Sequence, residues 1–230
     1  MLLGKCDGFQ EFSKGEVDYS HRLALRFLGV QPREEILDIG CGRGETVREC
    51  SRITGEAVGI DQSAAAVKIA AGFAGQGKII RASATDLPFK PGSFDKISLL
   101  GFIECLSPDE VDSCLEECKR VLKGRGTVFI ATPNSLGNRL FDSVSRTLGW
   151  IFPTLRTRSD PQGWRASPFF RSTWSFFSLR RLLKKHGFRT QIRYEPPKTG
   201  RMMSVVHRVL FFTAPMYCKA YRYNSEPPLE

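Results

Sequence analysis

The ten residues Ile36–Glu45, Ile-Leu-Asp-Ile-Gly-Cys-Gly-Arg-Gly-Glu, limit what this chain can fold into more than any other stretch. Ile36 to Ile39 is a short, largely apolar run that reads as a buried strand. Gly40, Gly42 and Gly44 then allow a tight turn in which backbone N–H groups approach a ligand without side chains in the way. Thr46, Val47, Cys50 and Ile53 follow at helical spacing. Strand, glycine loop and helix in that order open a parallel α/β sheet whose ligand sits beyond the carboxyl ends of the strands.

The spacing separates two kinds of nucleotide ligand. A dinucleotide site wants G-x-G-x-x-G with a pyrophosphate over the helix N-terminus. Here the glycines are spaced G-x-G-x-G, and Asp38 lies just before the first of them. A carboxylate there repels a pyrophosphate but suits the ammonium of an amino-acid-like ligand. The string resembles motif I of the class I S-adenosylmethionine-dependent methyltransferases.

Later segments continue the α/β alternation. Ala57–Ile60 reads as a second strand leading into Asp61, an acidic strand end of the kind that holds ribose hydroxyls. Ser63 is placed to cap an alanine-rich helix reaching about Phe73. Lys78–Ala82 and Phe94–Leu100 read as the third and fourth strands. Ser107-Pro108-Asp109-Glu110 is a capping box with proline at the first helical position. The helix it starts carries Val111, Cys114, Leu115, Cys118, Val121 and Leu122 on one apolar face, so its two cysteines read as core. Lys123-Gly124 is expected to end that helix before a fifth strand, Gly126–Ala131. Ser178 is expected to cap a helix running to His186 and stopped by Gly187. Arg189–Glu195 and Met216–Tyr223 complete seven strands, and Met203–Phe212 reads as a helix.

The resemblance covers residues 33–134 strongly and 178–223 in part. It implies a Rossmann-like doubly wound seven-stranded sheet, last strand antiparallel, with helices on both faces and a cap inserted after the fifth strand. The whole of 1–230 is then one domain, with 1–35 a helical lid and 135–177 the cap. It further implies S-adenosyl-L-methionine as cofactor. Asp38, Gly40, Cys41, Gly42 and Gly44 of the loop, Asp61 and Gln62 after the second strand, Ala84, Asp86 and Leu87 after the third, and Leu100 ending the fourth would hold it.

A sulfonium methyl is already activated, so the chain need mainly align the acceptor and exclude water. A base is required only where the acceptor must lose a proton. Glu104, just after the fourth strand, has the best position for that role, ahead of His21, His186, His207 and Tyr194. His186, in the last turn of a basic helix, reads as a partner of the helix dipole.

Charge places the partner elsewhere. Residues 135–201 hold 14 Lys/Arg against 3 Asp/Glu, a balance of +11, whereas the remainder, with 20 and 21, balances at −1. The same block holds all three tryptophans, Trp150, Trp164 and Trp174, among Phe169, Phe170, Phe176 and Phe177. Cations mixed with rings suit an anionic membrane surface, or a cap whose aromatics line an acceptor pocket. RNA is the second-ranked partner, because the Asn/Asp-Pro-Pro-aromatic motif of base-amino methylation is replaced here by Leu-Gly-Phe-Ile-Glu. A methyltransferase-like fold that binds the cofactor, or nothing, and serves a partner is the non-enzymatic alternative.

Seven cysteines with no C-x-x-C pair argue against a zinc site or a disulfide framework and for a reducing cytoplasm. No uncharged apolar run approaches about 18 residues, so no membrane span is expected. Met1–Gly8 lacks a basic region followed by an apolar run, so no secretory leader is expected either. The expected reaction is methyl transfer to a small or lipid-like, quinone-type acceptor by a cytoplasmic, peripherally membrane-associated protein.

Overall fold

The computed structural model describes residues 25–134, 171–194 and 216–222. Seven strands form one sheet: β1 Ile36–Ile39, β2 Val58–Asp61, β3 Lys78–Arg81, β4 Phe94–Leu100, β5 Leu122–Thr132, β6 Phe188–Tyr194 and β7 Met216–Arg222. Their order is β3-β2-β1-β4-β5-β7-β6. Only β7 runs against its neighbours, pairing antiparallel with both β5 and β6. The strand order reverses between β1 and β4, and that is where a doubly wound sheet opens a crevice at its carboxyl ends.

Alternation along the central strands builds two cores. Leu37, Ile39, Ile97, Leu99, Val128 and Ile130 face helices α3 (Pro108–Val121) and α4 (Phe176–Lys185). Ile36, Phe129, Ala131 and Tyr217 face the other way, against α1 (Glu45–Thr54) and α2 (Ala64–Phe73). Both faces are covered, as nearly continuous apolar parallel strands require. Cys114 and Cys118 lie buried on α3.

The described part of the N-terminal segment, residues 25–35, packs on the second face. Phe27 stacks between Phe129 and Tyr217, with centroids 6.2 and 5.6 Å away. Residues 1–24, with Tyr19 and His21, lie outside the described residues, as do 135–170 and the expected helix at 203–212 with His207.

Three local expectations shift. Helix α3 ends at Val121, not at Lys123-Gly124, and Leu122 is already extended. Arg222 explains the early stop: its guanidinium donates to the carbonyls of Lys119 and Leu122, capping the helix from β7. The glycine that packing demands is Gly126, where a Cβ would lie 2.8 Å from the Asp95 carbonyl, whereas Gly124 has open space.

The α4 cap is Ser175, not Ser178. In Ser-Phe-Phe-Ser the Ser175 hydroxyl accepts from Ser178 N–H at 3.2 Å while Ser178 Oγ accepts from Ser175 N–H at 2.8 Å. Replacing Ser175 with alanine should lower stability by about 1 kcal/mol. A urea titration that found no change would return the cap to Ser178.

His186 is not merely a dipole partner. It is 4% exposed, with Nδ1 2.7 Å from Glu116 Oε1 and Nε2 2.7 Å from Asp112 Oδ1, so it ties the end of α4 to α3.

Candidate functional site

The glycine loop lies where the strand order reverses. Gly40, Gly42 and Gly44 have φ of 70°, 54° and 83°, a left-handed conformation that side-chain-bearing residues rarely adopt. Gly40 and Cys41 N–H groups both donate to the Ile60 carbonyl at 2.9 Å, folding the loop over the end of β2. A Cβ on Gly40 would collide with the ring of Phe102, so the segment after β4 approaches the loop only because residue 40 has no side chain. Cys41 turns inward: a Cβ on Gly59 would lie 2.9 Å from its own Cβ. Burial pushes the Cys41 thiol well above its usual range.

Two carboxyls flank the loop. Asp38 is 4% exposed and accepts a 2.6 Å hydrogen bond from Ser98 Oγ, its register partner on β4. Burial raises its pKa from 3.8 to about 7; the Ser98 hydrogen bond opposes this, and the charges of Glu45 and Asp61 add to it. Asp61 is half-buried and accepts from Gly42 N–H at 3.1 Å and Ser63 N–H at 2.8 Å. It therefore holds the loop to β2 and starts α2, with its own pKa raised chiefly by burial. The pair makes a cradle that disfavours anions and accepts cationic or hydroxyl groups.

The segment after β3 is pinned from α3. Glu117 Oε2 accepts from Leu87 N–H at 2.7 Å. Arg120, paired with Glu117 at 2.6 Å, donates to the carbonyls of Leu87 and Phe89. Ala84 and Leu87 are buried and Asp86 is exposed, in a turn closed by a Ser83–Asp86 bridge. Gln62 is exposed beside it, its carbonyl accepting from Arg81 Nε. Leu100, at the end of β4, is half-buried against the α1–α2 face.

Glu104 lies in the single 3₁₀ turn Ile103–Cys105 that follows β4. It is 2% exposed, and burial raises its pKa from 4.5 to about 7 against the opposing hydrogen bonds of its own backbone and Thr132. Oε2 accepts from Thr132 Oγ1 at 3.0 Å, while Oε1 is buried without a partner, beside Gly101. The turn is clamped from above: Glu104 O accepts from the N–H groups of Arg171 and Ser172 at 2.8 and 3.0 Å, and Ile103 O from Ser172 Oγ at 3.1 Å. Next to it, Asn134 pairs by a single parallel bridge with Trp174.

Residues 37–130 match the family model described as a methyltransferase domain. That match runs from β1 into β5 and covers less than half of the chain. A ubiquinone/menaquinone biosynthesis C-methyltransferase of Ectopseudomonas mendocina is 30% identical over 148 residues, 59% of this chain and 57% of that one. A ubiquinone biosynthesis O-methyltransferase of Mesorhizobium japonicum is 29% identical over 143 residues, 57% and 56% of the two chains. The matched part thus spans little more than half the length of these relatives. A solved S-adenosylmethionine-dependent methyltransferase from Methanosarcina mazei superposes with a TM-score of 0.60 at 21% identity, covering 84% of this chain and 94% of that one.

The site fits the cofactor that the methyltransferase domain implies. The three glycines leave a cradle without side chains, and an ammonium beside Asp38 would restore the charge that burial suppresses there. The structure brings the glycine loop, Asp38 and Asp61 together, and Gln62, Ala84, Asp86 and Leu87 lie at the neighbouring strand ends. The Cys41 side chain is buried against Gly59. Ser98, Thr132, Glu117 and Arg120, which hold the named groups in place, carry no sequence signal, because their partners are 28 to 60 residues away or belong to another element. Among the described residues no helix is long and apolar enough to cross a membrane, and no group of three or more His, Cys, Asp or Glu is placed to hold a metal.

Proposed function

We propose that the protein transfers the methyl group of S-adenosylmethionine to a small, quinone-type or similarly lipid-like acceptor. The observation that carries this is two buried carboxyls raised to about 7 at the carboxyl end of the sheet, Asp38 in β1 and Glu104 in the turn that follows the adjacent β4. One is suited to a cationic ligand and the other to a proton. The relatives named for quinone biosynthesis support a ring-bearing acceptor.

In this reading Asp38, Gly40, Gly42 and Gly44 would hold the amino-acid end of the cofactor, and Asp61 with Gln62 the ribose. Ala84, Asp86, Leu87 and Leu100 would enclose the base. The bound cofactor supplies an activated methyl group. Glu104 receives the acceptor's proton where one must leave, Thr132 orients its carboxyl, and the apolar walls exclude water. We further assign residues 1–35 as a lid and 135–177 as a cap that touches an anionic membrane surface, within one domain. The charge balance of residues 135–201 and the 70% exposure of Phe177 support the membrane contact. Trp174 and Phe176 do not serve it, because both pack against the core.

Calorimetric titration of S-adenosylmethionine and S-adenosylhomocysteine tests the cofactor site first. One-site, saturable binding is expected for both. Absence of heat from a folded sample would sink the reading.

A further inference from the structure

Four buried polar atoms lack partners within three residues at one end of the sheet: Glu104 Oε1, Asn134 Oδ1, Asn134 Nδ2 and Trp174 Nε1. Asn134 is 1% exposed and Glu104 2%. Native proteins seldom leave such groups unsatisfied, and clusters of them mark a ligand or ordered water. The backbone brings them together. Thr132 reaches Glu104, and Asn134 lies two residues further on, just past the end of β5. Trp174 is bridged to Asn134, and residues 171 and 172 of the same segment bond the Glu104 carbonyl. Glu104 Oε1 lies beside Gly101, immediately after β4, and Phe102 from that same turn covers Gly40. The cluster therefore adjoins the glycine loop. Around it Phe102, Leu106 and Phe176 are partly buried apolar groups.

We propose that Asn134 and Trp174, with the unpartnered oxygen of Glu104, form the polar floor of the acceptor pocket and select a neutral ring bearing a hydroxyl next to a second oxygen. This rests on the methyltransferase reading of the site. The donor and acceptor inventory dictates the class. The indole N–H and the amide N–H groups need oxygen lone pairs, while Asn134 Oδ1 and Glu104 Oε1 need a donor. A hydroxyl beside a second oxygen supplies both within one edge of a flat ring. A carboxylate supplies no proton and would face Glu104, so anionic acceptors are rejected.

Catechol serves as the probe and benzoate as its anionic counterpart, each titrated into the full chain with S-adenosylhomocysteine present. The indole N–H resonance of Trp174 is identified as the one missing from Trp174→Phe. Catechol should shift that resonance saturably, and benzoate should not. Trp174→Phe and Asn134→Leu should each weaken catechol about tenfold while leaving S-adenosylhomocysteine affinity unchanged. A Trp174 resonance that stays still at saturating catechol overturns the proposal, as does benzoate binding as tightly; both readouts come from the unmutated protein. If S-adenosylhomocysteine fails to bind while catechol still moves the indole, the pocket stands and the cofactor reading falls.

Discussion

Asp38→Asn should weaken S-adenosylmethionine binding by at least about 100-fold at about pH 8 and, at the same pH, make the free protein more stable. The two effects share a cause. The Asp38 carboxyl titrates near 7 in the folded chain against 3.8 ordinarily, because burial outweighs the hydrogen bond from Ser98. Between those values the native state keeps a proton that the unfolded state has lost, so stability falls as pH rises through that window. Above about 7 the ionised carboxyl is a standing cost of up to about 4 kcal/mol, at about 1.4 kcal/mol per pH unit. Asparagine removes that cost and still accepts from Ser98 Oγ. It also removes the charge that an ammonium would neutralise, so stability is gained where binding is lost. Calorimetry and thermal melts at about pH 5 and about pH 8 read both sides. An Asp38→Asn variant that binds normally, or that melts lower than the parent at about pH 8, would show that the carboxyl is structural.

The glycine loop was legible because its chemistry is local. Asp38, Gly40, Gly42 and Gly44 fall within one strand-to-helix turn, and left-handed φ at each glycine is what the spacing demands. Asp61 was legible because the loop's own N–H groups close on the end of β2. What the sequence did not disclose depends on register and packing. Ser98 becomes the partner of Asp38 only once β1 and β4 pair in one register, and Arg222 stops α3 from a strand 100 residues away. Serine at both 175 and 178 left the α4 start ambiguous until reciprocal hydrogen bonds chose the first. For Trp174 composition left two readings open, an interfacial ring or a ring lining an acceptor pocket, and only its bridge to Asn134 and its buried N–H take it off the surface. A ring's partners are set by tertiary contacts that a local charge pattern does not encode.

Glu104→Gln should lower kcat for methyl transfer to catechol by roughly 10²–10⁴-fold and leave S-adenosylhomocysteine affinity unchanged. The substitution keeps the volume and keeps an oxygen to accept from Thr132 Oγ1, so the Ile103–Cys105 turn and its clamp by residues 171 and 172 should persist. What it removes is a carboxyl that burial holds near 7, matched to a base that must be ionised at working pH yet take up a proton readily. The parent's rate should therefore rise with pH through about 7, and that limb should vanish in the glutamine variant. Thr132→Val supplies the control. The Thr132 hydroxyl favours the ionised carboxyl, so its loss should push the limb to higher pH without abolishing it. A merely structural Glu104 would move stability in both variants and the pH limb in neither. Should Glu104→Gln retain full kcat at about pH 8, the acceptor is methylated without surrendering a proton to this residue, and its burial serves only to fix the turn over β4.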